Sequence, residues 1–364
     1  MRVLLTHSYF LQFDPKQWRT MQPYAPLGTL YATAMLRKHG FDVLVHDVMF
    51  LDSPDSLQDV LTSFKPDILV IYDDGFNYLT KMCLTNMREA AFKMCHMAKA
   101  EDCMVAVSSS DSTDHYAEYL QQGADYIILG EGEQTLLELA QAVETKQQDL
   151  NDIAGLVYMD ETRLVKTNAR KVQTDLDELP NPAWDLIDMQ RYKHAWLEST
   201  GYFSINMGTT RGCPYKCNWC AKPIYGNRYN ARSPQNVVNE LVELKQKYDF
   251  DHVWFCDDIF ALKPGWAKQF VAILKEKGLK IRFKIQSRAD LLLKEEQIEP
   301  LAEAGCETIW MGAESGSQAI LDAMDKGITI EQIGNATEQL KKHNIRVAFF
   351  LQFGYLGETK QDIQ

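Results

Sequence analysis

Short apolar runs alternate with segments of helical periodicity along the first 145 residues of the chain. The apolar runs are rich in β-branched residues and predict strands at 2–6, 42–46, 67–72, 103–108 and 125–129. The intervening segments predict helices near 27–39, 55–64, 78–99, 113–122 and 132–144. This alternation predicts an α/β fold with a doubly wound, Rossmann-like parallel sheet, whose ligand site lies at the carboxyl ends of the strands.

A less regular stretch separates this series from a second one. Residues 153–168 predict a short hairpin, and residues 169–202 predict a surface connector because they show little periodicity. The second series predicts strands near 203–208, 251–256, 281–286, 306–311 and 345–352. It predicts helices near 233–247, 264–276, 293–304, 317–324 and 330–343. We therefore expect domains at 1–150 and 203–364, joined by a hairpin and linker at 151–202.

Polar residues follow the strands of the second series consistently, which is typical of barrels whose chemistry lies at the carboxyl ends of the strands. The second domain is therefore predicted to be a partial (β/α) barrel. Thr359 has the character of a helix start, but only five residues follow it. We expect from this that the chain is a fragment, truncated at its C-terminus.

Composition narrows the function classes. The 38 Lys and Arg against 50 Asp and Glu give a net charge of −12, so a phosphate-binding surface has no support and nucleic acid is not an expected partner. No apolar run approaches the roughly 20 residues that span a bilayer, and the N-terminus lacks a signal-peptide core. We expect a cytoplasmic protein that does not bind membranes.

The strongest chemical signal is the spacing of Cys213, Cys217 and Cys220. Eight cysteines in 364 residues are too few for a disulfide scaffold, and a tight cluster in a reducing compartment indicates metal or redox chemistry. Three thiolates on one loop can hold three irons of a 4Fe-4S cubane and leave the fourth iron open. The alternative is a zinc site, which usually has four ligands, and no histidine lies near this loop. The other cysteines are interpreted as buried small apolar residues: Cys83, Cys95, Cys103, Cys256 and Cys306.

The sequence around these cysteines resembles the radical S-adenosylmethionine (SAM) superfamily. The resemblance rests on Gly-Thr-Thr-Arg-Gly-Cys at 208–213, on the CxxxCxxC spacing and on Trp219 before the last cysteine. It extends over later strand ends, at Phe-Cys-Asp-Asp (255–258), Gly-Ala-Glu-Ser-Gly-Ser (312–317) and Phe-Gly-Tyr-Leu-Gly-Glu-Thr (353–359). Together with the first domain, the chain resembles the cobalamin-binding branch, which includes methylases and the oxygen-independent magnesium-protoporphyrin monomethyl ester cyclase.

The resemblance implies a site for SAM beside the cluster. It implies that Cys213, Cys217 and Cys220 bind the cluster and that Trp219 stacks on the adenine. It further implies that Asp257 and Asp258 receive the ammonium of SAM, that Glu314 binds the ribose hydroxyls and that Arg288 meets the carboxylate. Simpler interpretations stay open: Trp219 as a buried loop anchor, the two aspartates as helix caps, and Arg288 as the partner of Asp290 or of a neighbouring loop.

Cobalamin is the ligand that the resemblance implies for the first domain. The polar segments that follow strands there are 6–8, 73–78, 108–111 and 130–133, and the last resembles the Gly-Glu-x-Glu signature of the branch. The candidate contacts are Ser8, Asp74, Ser109, Gly130, Glu131, Gly132 and Glu133. Ordinary βα turns with caps are the alternative. The chain lacks the Asp-x-His-x-x-Gly motif of other methyl carriers, so we expect cobalamin without a histidine as lower ligand.

The leading hypothesis is a cobalamin-dependent radical SAM enzyme. It would cleave SAM reductively to a deoxyadenosyl radical. The most common outcome in this branch is methylation, so we expect the enzyme to methylate an unactivated carbon of a small molecule. A reductant such as flavodoxin or ferredoxin is the implied partner. A radical cyclase or oxidative rearrangement is the alternative within the branch, and a non-catalytic iron-sulfur sensor or electron carrier is the alternative from another class.

Overall fold

The computed structural model describes residues 1–76, 85–222 and 224–363. Two compact units divide the chain. The first comprises residues 1–173 and 178–203, and the second comprises residues 174–177 and 204–364. The domain limits expected above remain a proposal.

Within the described residues, the first unit is built on a seven-stranded sheet with the order β2-β1-β3-β4-β5-β6-β7. The strands are β1 (Arg2–Thr6), β2 (Asp42–His46), β3 (Ile68–Tyr72), β4 (Met104–Ser108), β5 (Tyr126–Ile128), β6 (Leu156–Asp160) and β7 (Arg163–Lys166). The pairs among β1 to β5 are all parallel. The predicted doubly wound sheet is therefore confirmed, and each of its strands lies close to its predicted position.

Burial of both faces explains why these strands are nearly continuous apolar runs. In β1, Val3 and Leu5 pack on one face with Leu136, whereas Leu4 packs on the opposite face with Met94. The described α-helices between β1 and β6 are Pro15–Thr20, Leu27–Lys38, Leu57–Phe64, Thr85–Ala100, Ser110–Asp114, Tyr116–Gln121 and Glu133–Thr145. The helix predicted over 113–122 is thus two short helices, and the predicted start of the helix at 78 lies outside the described residues.

The segment after β5 differs most from its prediction. The hairpin at 153–168 is present, but β6 pairs antiparallel with β5 and thereby extends the first sheet. The expected connector contains a helix, Met189–Thr200, whose Trp196 is buried and donates from Nε1 to the Pro23 carbonyl at 2.7 Å. The prediction of an irregular surface connector was therefore wrong for this stretch, because its buried positions carry aromatic side chains among charged ones.

The second unit contains, among its described residues, a five-stranded sheet with the order β14-β13-β12-β11-β8, and all of its pairs are parallel. Its strands are β8 (Ser204–Met207), β11 (His252–Phe255), β12 (Arg282–Ser287), β13 (Cys306–Glu314) and β14 (Arg346–Leu351). Two short strands, β9 (Thr210–Arg211) and β10 (Asn230–Ala231), pair separately and antiparallel. Sequential strand order is what a partial (β/α) barrel requires.

Helices follow the strands of the second sheet in turn. They are Pro234–Tyr248, Trp266–Glu276, Ala289–Leu292, Ile298–Ala304, Gln318–Ala323, Ile330–Lys342 and Lys360–Ile363. Aromatic side chains pack together on β11, β12 and the helix Trp266–Glu276. The ring centroids of Phe255 and Phe283 are 5.3 Å apart, and Phe270 stacks on Trp266 at 5.2 Å. Because the strands are parallel, their carboxyl ends share one edge of the sheet, where the predicted site residues lie.

Candidate functional site

The cysteine loop, residues 212–229, follows β9 at the carboxyl edge of the second sheet. Cys213 and Cys217 are half-buried, Cys220 is exposed, and all three are free thiols. By contrast, Cys95, Cys103, Cys256 and Cys306 are buried, as expected, whereas Cys83 lies outside the described residues. Among the described cysteines, those with the CxxxCxxC spacing are therefore the accessible ones.

Hydrogen bonds hold this loop at Asn218 and at Lys222. The amide of Asn218 donates to the Met324 carbonyl at 3.1 Å, and its side-chain Nδ2 donates to the Ala323 carbonyl at 2.8 Å. Lys222 Nζ donates to the Tyr215 carbonyl and, at 2.6 Å, to Asn227 Oδ1. The loop is thus fixed both to itself and to the turn that follows the helix Gln318–Ala323.

The cysteine loop offers three free thiols, the donor type that holds iron-sulfur clusters. No group of three or more His, Cys, Asp or Glu residues in the described part of the chain is gathered as ligands of one metal ion. A cubane requires a wider arrangement, because each thiolate binds its own iron. Burial raises the pKa of Cys220, and the neighbouring Cys213 and Cys217 contribute to that shift, so the thiols are near enough to interact.

A cation also faces the cysteine loop. The guanidinium of Arg288 lies 3.6 Å from the ring centroid of Tyr215, and its Nη1 lies 3.8 Å from the sulfur of Cys217. Arg288 is buried, and its Nε donates to Asp290 Oδ1 at 2.9 Å. The pairing with Asp290 that the sequence left open is thus present, and it orients the guanidinium toward the loop.

Asp257 holds the turn between β8 and β9, which precedes the cysteine loop. This fully buried carboxylate accepts from the amides of Thr209 and Thr210 at 2.7 and 2.8 Å and from Thr209 Oγ1 at 2.5 Å. Burial raises the pKa of Asp257 to about 6, although these hydrogen bonds oppose the shift. Asp258 is exposed. The pKa of the Cys213 thiol is raised mainly by burial, and the nearby negative charge of Asp258 adds to that shift.

A second buried charge supports the same turn. Arg232 and Glu240 are 5% and 1% exposed, and their side chains form an ion pair at 2.6 Å. Arg232 Nη1 donates to the Gly208 carbonyl at 3.2 Å, and its amide donates to the Thr209 carbonyl at 2.9 Å. Sequence reasoning missed Arg232 because its partner lies in the following helix and nothing in the local pattern distinguishes it from a surface arginine.

Trp219 and Glu314 meet at one lysine. Trp219 is 39% exposed, so it is not the buried anchor that the sequence left open. Lys326 Nζ lies 5.8 Å from the Trp219 ring centroid and 2.7 Å from Glu314 Oε1. Sequence reasoning missed Lys326, since it follows a helix rather than a strand.

The polar residues expected to contact cobalamin lie at the carboxyl edge of the first sheet. Ser8 is buried and donates from its amide and hydroxyl to Asp73 at 2.7 and 2.9 Å. Asp74 accepts from the amides of Gly28 and Phe76 at 3.2 and 2.9 Å. The contacts of Ser8 with Asp73 connect the ends of neighbouring β1 and β3, and Asp74 connects the end of β3 to the start of the helix Leu27–Lys38. Residues 77 and 78 of the predicted segment lie outside the described residues.

Ser109 and the Gly-Glu-Gly-Glu loop complete this edge. Ser109 caps the helix Ser110–Asp114 in a reciprocal arrangement with Ser112, so the capping role that the sequence left open is present. Gly130 is in the left-handed region (φ +70), and Glu131 accepts from the Gln173 amide at 2.6 Å. A Cβ at Gly132 would lie 2.8 Å from the Tyr72 hydroxyl, so only glycine allows the loop this close. Glu133 is buried at the first position of the following helix.

The edge of the first sheet is therefore rich in buried polar groups, which suits a ligand with many amide side chains such as cobalamin. His7 also lies there, 1% exposed, with its Nε2 2.9 Å from Asp47 Oδ1. Asp47 in turn accepts from the Tyr192 hydroxyl at 2.7 Å. Burial alone would raise the pKa of Asp47, but the hydrogen bonds from His7 and Tyr192 lower it overall.

Comparison with known families agrees with this architecture. Residues 207–364 match the radical SAM superfamily, and residues 21–140 match the B12 binding domain. The fold and the cysteine loop therefore define a radical SAM domain joined to a B12-binding domain. A chain with these two matches is similar to the cobalamin-binding branch of the radical SAM enzymes. Both domain families support a 4Fe-4S cluster, SAM and cobalamin as cofactors.

Curated relatives cover almost the whole chain. An uncharacterized methyltransferase of Pyrococcus horikoshii is 28% identical over 93% of this chain and 71% of its own length. The anaerobic magnesium-protoporphyrin IX monomethyl ester cyclase of Rubrivivax gelatinosus is 26% identical over 94% of this chain and 61% of its own length. The chain thus spans between about three fifths and three quarters of these relatives.

Solved structures show the same fold. The cobalamin-dependent SAM radical enzyme OxsB, with aqua-cobalamin bound, superposes with a TM-score of 0.79 at 21% identity, over 96% of this chain and 49% of OxsB. The radical SAM methyltransferase TsrM of Kitasatospora setae, with cobalamin and a [4Fe-4S] cluster bound, superposes with a TM-score of 0.77 at 22% identity, over 99% of this chain and 71% of TsrM.

Among the described residues, no helix has the length and apolarity needed to cross a bilayer.

The buried carboxylate of Asp257 yields a prediction about iron binding. Asp257→Ala leaves three buried donors without an acceptor, at a cost of about 1–3 kcal/mol each. We expect the loosened loop to bind much less iron after anaerobic reconstitution, as measured by iron and sulfide content. Asp257→Asn keeps an acceptor oxygen and should retain the iron, whereas Cys217→Ala should lose it.

Full iron content in Asp257→Ala would contradict this positioning role. If Asp257→Asn retains iron but loses SAM binding, the carboxylate acts on SAM directly, as the sequence resemblance implies.

Proposed function

We propose that this protein is a cobalamin-dependent radical SAM enzyme that methylates an unactivated carbon of a small molecule. The observation that carries the proposal is the set of three accessible cysteines on one loop at the carboxyl edge of a parallel sheet, in a chain with a B12-binding domain. The match to a methyltransferase supports methylation.

Different residues of the chain bind different parts of SAM and of the cluster. Cys213, Cys217 and Cys220 hold the cluster, which when bound supplies the electron that cleaves SAM. The half-exposed face of Trp219 accepts the adenine, and Glu314 accepts from the ribose hydroxyls. Arg288, Asp257 and Asp258 serve the amino acid end of SAM, with the guanidinium toward the carboxylate and the aspartates toward the ammonium. Each lies at the end of a strand or on the cysteine loop.

Cobalamin, which carries methyl groups when bound, belongs at the edge of the first sheet. Ser8, Asp74, Ser109 and the loop 130–133 supply polar groups and close backbone there. His7 directly follows β1 at this edge, but Asp47 engages its Nε2. His46, the last residue of β2, has its Nε2 3.1 Å from Ser56 Oγ. A lower face of cobalt without a protein imidazole is therefore the arrangement we propose.

The partners follow from this chemistry. Cleavage of SAM needs an electron, so a reductant such as flavodoxin or ferredoxin is part of the proposal, and the substrate is a small molecule. The net charge of −12 speaks against nucleic acid as a partner. A cytoplasmic location is proposed from the free thiols, which suit a reducing compartment.

The products formed from SAM distinguish the candidate functions. Anaerobically reconstituted protein is incubated with SAM, hydroxocobalamin, a reductant and the small-molecule fraction of a cell extract. We expect both deoxyadenosine and S-adenosylhomocysteine, because methylation consumes one SAM as radical source and another as methyl donor. Mass spectrometry measures both, and Cys217→Ala should produce neither.

Deoxyadenosine without S-adenosylhomocysteine would favour the cyclase or rearrangement, which the relationship to the Rubrivivax cyclase supports as second candidate. A stable cluster that yields neither product would identify a sensor or electron carrier.

The state of His7 generates a separate prediction. Electron paramagnetic resonance of the cob(II)alamin form should show no nitrogen splitting from a protein imidazole, because Asp47 holds the ring nitrogen Nε2. The spectrum of His7→Ala should therefore match that of the unaltered protein. A nitrogen splitting that is present in the unaltered protein and lost in His7→Ala would show that this histidine binds cobalt.

A further inference from the structure

Lys326 is a buried lysine at the carboxyl edge of the second sheet. It is 7% exposed, and its Nζ lies 2.7 Å from Oε1 of Glu314, which is itself 4% exposed. Lysines are almost never fully buried unless they are paired, because removing the ammonium from water is costly. The proposed function gives Glu314 a role but leaves its buried partner unexplained.

The same residue connects two further side chains proposed to bind SAM. Arg288 Nη2 donates to the Lys326 carbonyl at 2.8 Å, and Lys326 Nζ lies 5.8 Å from the Trp219 ring centroid. Trp219, Arg288 and Glu314 come from the cysteine loop and from the ends of two different strands. Lys326 is thus in contact with three segments that are far apart in sequence.

The backbone around Glu314 is adapted to this ion pair. Glu314 has φ +64, in the left-handed region that residues other than glycine rarely adopt. The register between β13 and β14 shifts between Gly312 and Glu314. A Cβ at Gly312 would lie 2.8 Å from both Glu314 Oε1 and Lys326 Nζ. A strained residue, an irregular strand and a glycine therefore all accommodate the pair, and such features concentrate at functional sites.

We propose that Lys326 is a positioning residue for SAM that acts through Glu314. Its Nζ holds one carboxylate oxygen of Glu314 and thereby orients the group so that the other oxygen accepts from the ribose hydroxyls. The inference rests on the proposed function, since it requires that Glu314 binds SAM. A counter-charge with a purely structural role is the competing explanation.

A double-mutant cycle tests the proposal. The variants Lys326→Met, Glu314→Gln and the two combined are reconstituted anaerobically, and equilibrium dialysis with labelled SAM measures affinity beside iron content. We expect each single variant to weaken SAM binding by about tenfold or more while iron is retained. The double variant should bind SAM about as well as Glu314→Gln alone, because the lysine has no carboxylate left to orient.

Two further variants separate positioning from stability. Lys326→Arg keeps the positive charge and should bind SAM better than Lys326→Met, with the SAM-induced change in the spectrum of the reduced cluster preserved. Lys268→Met removes an exposed lysine that pairs with Glu296 at 2.8 Å and should leave SAM affinity unchanged. This control removes the same kind of charge from the helix Trp266–Glu276, which holds none of the residues proposed to bind SAM.

Unchanged SAM affinity in Lys326→Met, or losses that simply add in the double variant, would overturn the inference. If Lys326→Met loses its iron, Lys326→Arg decides: failure of that variant also to hold iron would show a structural role only. Failure of the unaltered protein to bind four irons or SAM would contradict the proposed function instead.

Discussion

Parallel pairing of the strands is the constraint on which both candidate sites depend. Parallel strands all end at the same edge, so residues that follow different strands meet there even when they are far apart in sequence. In the second sheet, Asp257, Arg288 and Glu314 lie at the ends of β11, β12 and β13. Because β11 also pairs with β8, Asp257 reaches the turn that precedes the cysteine loop. The same geometry gathers the polar strand ends of the first sheet.

The site in the radical SAM domain is also built from buried charged residues. Asp257, Arg288, Glu314 and Lys326 are each at most 7% exposed, and each is held by hydrogen bonds or an opposite charge. An unpaired charge there would be costly, so each partner restricts the position of the other. The groups proposed to bind SAM are thereby oriented by the protein before any ligand arrives, which reduces the cost of ordering them on binding.

Local patterns allowed much of this to be predicted from the sequence. The strands were recognisable because burial on both faces leaves continuous apolar runs, and the cysteine spacing is itself local. The helix Met189–Thr200 was missed because its buried positions include Tyr192 and Trp196 among charged residues. Lys326 was beyond sequence reasoning for a different reason: its pairing with Glu314 depends on a register shift and a left-handed residue, which arise only when β13 and β14 pair.

The central claim is that the three cysteines hold a cubane whose fourth iron is open to SAM. Mössbauer spectroscopy of protein reconstituted with isotopically enriched iron tests this most directly. Addition of SAM should change the signal of about one iron in four, because only that iron lacks a thiolate ligand. A spectrum of four irons that SAM leaves unchanged, or a protein that binds zinc and no iron, would contradict the account.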